Sequence, residues 1–258
     1  MHIYPLSCIF CQENLLILGG CHVGTGVLAC ESVTEYVQAA QRRLGTDYPV
    51  FVLHYRNTDD PGQMKRQIVQ AVEGLPWNID TVLVAMGFCG GSWNQVKAAR
   101  RLVIPRVDDC VSLLINGTVQ HSANPKQMGH LYITERQPDS HGKRLCQQCP
   151  RWKADACYSR WFANHSQLDI VDTGVFDCHS EAYVGAAQEC ADALHCCLGY
   201  VSGSNSLLER LVGGQWEDGF LVANPGQILF WADILLLKAE ALVELDRTPE
   251  AIRIVNSI

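Results

Sequence analysis

The sequence has little charge and no excess of the positive sign. Only 18% of its 258 residues are Asp, Glu, Lys or Arg, and the formal net charge is −7. A protein that tracks a phosphate backbone needs a basic stripe, and none is present, so nucleic acid is excluded as the expected partner. The first 41 residues hold no Lys or Arg. The positive n-region of a secretory signal is therefore lacking, and the expected location is cytoplasmic. Apolar runs long enough to cross a membrane are lacking too, so no membrane association is expected. No G-x-G-x-x-G follows the first strand, and there is no Walker loop and no G-x-S-x-G elbow. "GGCHVGTG" (19–26) has glycines but precedes a strand instead of following it, so no nucleotide cofactor is implied.

Apolar residues and cysteine are what the chain has in quantity, at 48% and 13 residues. The apolar content supports a sizeable core. Thirteen is odd, so full pairing within one chain is impossible, and a cytoplasmic compartment disfavours stable disulfides. Each cysteine taken alone reads most simply as a small buried hydrophobe.

The hydrophobic pattern alternates between strands and helices. "VLAC" (27–30) reads as a strand. "ESVTEYVQAAQRRLG" (31–45) reads as a helix closed by Gly45, with Val33, Val37, Ala40 and Leu44 on one face. "PVFVLHY" (49–55) is a strand, "DDPGQMKRQIVQAVEGL" (59–75) a helix, and "DTVLVAMGF" (80–88) and "RLVIPR" (101–106) are strands. "DDCVSLLING" (108–117) reads as an N-capped helix and "GHLYITE" (129–135) as a strand. The second half repeats the rhythm more weakly. It offers a helix at 153–165, a strand at 168–176, a long helix at 180–199, a short helix at 204–214 and a strand at 218–226.

This alternation predicts an α/β class: a Rossmann-like parallel sheet flanked by helices, in two similar halves. The expected divisions are an N-terminal extension (1–26), a first half (27–136), a connector (137–152), a second half (153–226) and a helical tail (227–258). The tail resembles a tetratricopeptide-like helix hairpin that stops in mid-pattern. It reads as the product of a truncated or joined reading frame, and no function is placed on it.

The strand ends carry the chemistry. Cys30 ends the first strand, His54 the second and Cys89 the third, and Cys110 opens the helix after the fourth. Carboxyl ends of parallel strands share one edge, where ligands bind, so these four residues are expected to converge. Thiolates and imidazole favour zinc, with iron or cobalt as alternatives. A closed Cys3His set would be structural, and three ligands with an open place catalytic. A helix N-terminus beside Cys110 is expected to lower its pKa. Glu31, Asp108 and Asp109 are candidates for proton carriers or outer partners, or plain helix caps. His54 has the alternative of a strand-end histidine with no role. The C-x-x-C pairs Cys146/Cys149 and Cys8/Cys11 are weak signals, and Cys178, His179, Cys190, Cys196 and Cys197 read as filler beside a long helix.

The blocks "VLACES", "VLHYRNTDDP", "TVLVAMGFCGG" and "RLVIPRVDDCVSLLING" resemble the successive motifs of a bacterial and archaeal family, the domain-of-unknown-function family 1638. The matching positions are Cys30 and Glu31, Leu53 and His54 with Pro61, Gly87 with Cys89 and Gly90, and Asp109 with Cys110. Asp109 stands where some members carry His. "WFANHSQLDIVDTGVFD" and "LLERLVGGQWEDGFLVANPG" extend the resemblance over about residues 27–226. The resemblance implies a setting in corrinoid-linked one-carbon metabolism, with corrinoid proteins or methyltransferase components as partners.

Four functions fit these observations. The foremost is a metal-binding accessory or metal-handling factor. The second is an enzyme in which Cys-ligated zinc activates a thiol for methyl transfer. The third is a thiol-redox protein using Cys30, Cys89 and Cys110, and the fourth a domain with buried cysteines and no site.

Overall fold

The computed structural model describes residues 15–18, 24–54, 61–115, 126–134, 164–217 and 219–230. Nine strands, β1 to β9, and five α-helices, α1 to α5, lie within them. In chain order the first half of the list runs β1 (Leu15–Leu18), β2 (Gly24–Cys30), α1 (Thr34–Leu44), β3 (Val50–Leu53), α2 (Pro61–Glu73), β4 (Ile79–Ala85), β5 (Arg101–Pro105) and α3 (Cys110–Ile115). It continues with β6 (His130–Ile133), β7 (Gln167–Asp172), α4 (Glu181–Ala193), β8 (Cys197–Ser202), α5 (Ser206–Val212) and β9 (Phe220–Ala223).

The structure is a mixed α/β fold with a mostly parallel central sheet in the order β1-β3-β2-β4-β5-β9. The inner four strands run parallel, and β1 and β9 add antiparallel edges. The inner strands are near-continuous apolar runs because helices cover the sheet. Val27–Cys30, Val50–Leu53 and Val82–Ala85 are all buried. Helix α1 presents the buried Tyr36, Val37 and Ala40 to the core, and ends at Gly45 with φ 69°. That left-handed position favours glycine at a helix C-terminus.

A second sheet has the order β6-β7-β8, all parallel, over its own small core with α4. Its carboxyl edge abuts the first unit. The Tyr36 hydroxyl donates to the Thr134 carbonyl at 2.6 Å, Ser204 N–H donates to the Leu114 carbonyl at 2.6 Å, and the Asn205 amide donates to the Tyr36 carbonyl at 3.0 Å.

Several details depart from the sequence reading. The strand at His130–Ile133 joins the second sheet, and Phe220–Ala223 returns to pair with β5 in the first. Hydrophobic period cannot reveal that exchange, because it reports burial and not the neighbour. The long helix expected over 180–199 ends at Ala193. His195 takes φ 53°, and "CLGYVS" becomes β8. β-branched and aromatic residues there suit a strand once the chain has reversed. The 3-10 turn Glu31–Val33 precedes α1, and β1 lies within the segment expected as an N-terminal extension. The C-terminal tail from 231, residues 153–163 of the helix expected over 153–165, and the cysteine pairs 8/11 and 146/149 lie outside the described residues.

Candidate metal centre

The strand order places a topological switch point at the C-terminal ends of β2 and β4. From β2 the chain moves to one side, to β3, and from β4 to the other, to β5. Such a switch point, where successive loops diverge, is the usual ligand position in open α/β sheets. Cys30 is the last residue of β2 and Cys89 follows β4, the adjacent strand.

The Cys89 turn is rigidly held. Phe88 and Trp93 are fully buried on either side of it. Cys89 N–H donates to the Asp108 carbonyl at 2.7 Å, and Phe88 N–H to the Val107 carbonyl at 3.0 Å. Within this frame Cys89 adopts φ 39°. A non-glycine residue in the left-handed region costs of order 1–3 kcal/mol and persists where the surroundings over-determine it, often at a working site.

Cys110 is the first residue of α3, and Asp109 caps that helix. One Asp109 carboxylate oxygen accepts from Ser112 N–H and from the Ser112 hydroxyl, both at 2.9 Å, and the other accepts from the Lys126 ammonium. Burial pushes the Asp109 carboxyl up, but Lys126 and Ser112 outweigh it and hold it below its usual value. Of the roles open to Asp109, capping is the one its contacts fill.

The Cys110 thiol is within interaction range of Cys30 and of Cys89, but the three sulfurs do not all come within 4.8 Å of one another. Cys110 interacts with Cys30 on one side and Cys89 on the other, so they form a file with Cys110 in the middle. All three are free. Cys30 is 8% exposed, and Ser32 Oγ donates to its sulfur at 3.4 Å. Its hydrogen bond to Cys110, with burial added, raises the Cys30 pKa well above the ordinary thiol value. For Cys110, the bond from Cys30 pulls down, but the bond to Cys89 and burial push harder, and its pKa is also raised. The expected lowering of Cys110 by its helix terminus is thus overturned. The first turn of a short helix cannot outweigh burial among other thiols, although Gly87 N–H helps in the expected direction.

His54 follows β3, whose Leu53 is in register with Cys30, and its Nδ1 lies 3.4 Å from the Glu31 carboxylate. The imidazole is therefore turned to Glu31, beside the thiol file. The three sulfurs, not all within 4.8 Å of one another, are also more spread than a tetrahedral zinc–sulfur set, whose sulfurs lie about 3.8 Å apart. Closing on an ion requires side-chain rotation.

Among the described residues, one group of three candidate ligands has all its atoms within 4.8 Å of one another: Asp172, Cys178 and His179. These sit at the end of β7 and in the turn before α4. His179 Nε2 lies 2.9 Å from an Asp172 carboxylate oxygen. That bond holds the Asp172 carboxyl below its usual value, helped by Gly174 N–H. Burial, with the Asp172 carboxylate added, pushes the Cys178 thiol up to about 11. The sequence hides this cluster because the strand expected over 168–176 continues past Asp172 and masks it as a strand end. The same strand-end rule, applied to "DIVD" with a Cys-His pair six residues on, would have flagged it.

No described helix is long and apolar enough to cross a membrane. No curated protein and no solved structure matches the chain. A family model described as "Protein of unknown function (DUF1638)" matches residues 52–212, a stretch that includes His54, Cys89, Cys110 and the Asp172 cluster but begins after Cys30. The chain belongs to that family.

Proposed function

We propose that the protein binds a thiophilic transition metal, zinc or iron, through Cys30, Cys89 and Cys110, and acts as a metal-handling or accessory factor. One observation carries this reading. Three cysteines far apart in sequence end at one sheet edge, with the Cys110 thiol interacting with both of the others. Their raised pKa values do not oppose it. A divalent cation reverses the local electrostatics, so the thiols ionise on binding and release their protons. Strain at Cys89 supports the same site, since φ 39° serves no turn that glycine would not make better.

The pairing of His54 with Glu31 favours three thiolates and an open fourth place over a closed Cys3His shell. An open place admits a second reading, in which an exogenous thiol enters the zinc and is activated for methyl transfer. Glu31 and His54 would carry its proton.

The test is metal content by elemental mass spectrometry on protein purified anaerobically. Wild type is compared with Cys30→Ser, Cys89→Ser and Cys110→Ser. An ion lost in all three variants, with folding retained, is expected. Unchanged metal content in the folded variants overturns the reading. Methyl transfer from methylcobalamin to a thiol, lost in the same variants, would establish the enzymatic form.

A further inference from the structure

The Asp172 cluster is built unlike a surface ion pair. Cys178 is 1% exposed and sits in the second core, so it forms a floor, while the other two ligands are open to solvent. The turn that carries them is fixed by its own polar contacts. Gly174 N–H donates to Asp172 Oδ1 at 3.1 Å, and His179 N–H to Asp177 Oδ1 at 3.1 Å. The His179 ring is stacked on Tyr200 of the neighbouring strand, with centroids 4.9 Å apart and planes at 20°. An exposed Asp–His pair contributes little to stability, so holding the ring from two sides is not needed by the fold. It is what a ligand needs.

We propose that Asp172, Cys178 and His179 are the protein ligands of a second metal site, which takes a zinc-class divalent cation and leaves a fourth place for water. One carboxylate, one thiolate and one imidazole form a borderline donor set that suits zinc or cobalt(II) and is too soft for magnesium or calcium. Three protein ligands with an open place is the arrangement of reactive zinc sites. The position agrees, at the carboxyl end of the central strand of a parallel sheet. On binding, the Cys178 thiol gives its proton to solvent and its sulfur bonds the ion; the proton that His179 Nε2 shares with Asp172 passes through solvent to Nδ1, which frees Nε2 and the Asp172 carboxylate to bond the ion. The cation enters from the Asp172 and His179 side. No residue is shared with the thiol file, so the two sites stand or fall separately.

Zinc binding by equilibrium dialysis tests this on the full chain, with His179→Ala, Asp172→Asn and Cys89→Ser beside wild type. His179 is exposed, so His179→Ala is expected to keep the fold, checked by circular dichroism. The expected result is one equivalent less zinc in His179→Ala, and zinc affinity lowered roughly tenfold or more in Asp172→Asn. Cobalt(II) is expected to give a one-thiolate charge-transfer band that survives Cys89→Ser and disappears in His179→Ala. Wild-type stoichiometry and affinity in both cluster variants overturns the proposal. Zinc lost in His179→Ala but unaffected by Cys89→Ser supports it while removing the thiol site. The opposite pattern does the reverse.

Discussion

Gly87 and Asp109 touch backbone to backbone. A Cβ on Gly87 would lie 2.5 Å from the Asp109 Cα and amide nitrogen. This contact brings the start of α3 against the turn after β4, and so brings Cys110 to Cys89. Backbone cannot give way as a side-chain tip can, so Gly87→Ala must push the two segments apart. The expected cost is about 1–3 kcal/mol of stability by denaturant titration. Loss of the Cys89-dependent metal is expected even below the unfolding transition. Full metal content in this variant would show that the thiol file does not depend on the contact.

Cys89 permits a comparison that separates strain from ligation. Cys89→Gly and Cys89→Ala both remove the sulfur, so both are expected to lose the ion. At φ 39° only glycine is free of the Cβ clash. Cys89→Gly is therefore expected to be about 1 kcal/mol more stable than Cys89→Ala, read from chemical denaturation without metal. Equal stabilities would mean that the turn relaxes and stores no strain.

Asp109 acts through the helix it caps. Asp109→Ala strips the bonds to Ser112 and the partner of Lys126 and is expected to cost about 1 kcal/mol. Asp109→Asn keeps a capping oxygen and is expected to recover most of that loss. Metal binding should follow stability in this series, because Asp109 positions Cys110 and touches no thiol in the contacts described. A metal defect in Asp109→Asn at full stability would give the carboxylate a direct role.

The reasons these residues were legible differ from one to the next. Cys30, Cys89 and Cys110 are expected at one sheet edge because Cys30 ends an apolar run, Cys89 and Cys110 follow one, and parallel topology puts such ends on one edge. The orientation of the His54 ring was not legible, since a strand end fixes a backbone position and leaves a rotamer free to choose Glu31. Nor was the exchange of β6 and β9 between sheets, because edge pairing is decided by tertiary contacts such as Arg106 Nε to the Phe220 carbonyl at 2.9 Å. The β8 strand was lost to helix because Ala193 to Cys197 carries no glycine or proline to mark the break. His195 makes the turn at φ 53° instead.

Raised thiol pKa values give metal-free protein a distinctive pH response. The folded state keeps protons on Cys30 and Cys110 that the unfolded chain releases near the ordinary thiol value of about 8.5. Their contribution is complete below that pH and is lost as pH rises above it. Melting temperature in chelator is thus expected to fall from about pH 8.5 upward. Zinc inverts the sign. Bound thiolates have lost protons that the unfolded chain still carries below about pH 8.5, so stability with zinc rises with pH across neutrality. Parallel curves with and without zinc would show that the metal does not engage these thiols.

His54 decides between an open and a closed site. Its imidazole is paired with Glu31 at 3.4 Å, so the open reading makes it a neighbour of the ion and not a ligand. His54→Ala is then expected to keep the Cys89-dependent ion and its cobalt(II) spectrum, with affinity changed less than in any cysteine variant. Glu31→Gln should behave in the same way. If thiol methylation is detected, both variants are expected to slow it and to shift its pH profile, as removal of a proton carrier does. If His54→Ala instead loses the ion as completely as Cys89→Ser, the ring must turn from Glu31 to the metal. The site is then a closed Cys3His shell, which favours a structural or delivery role over thiol activation.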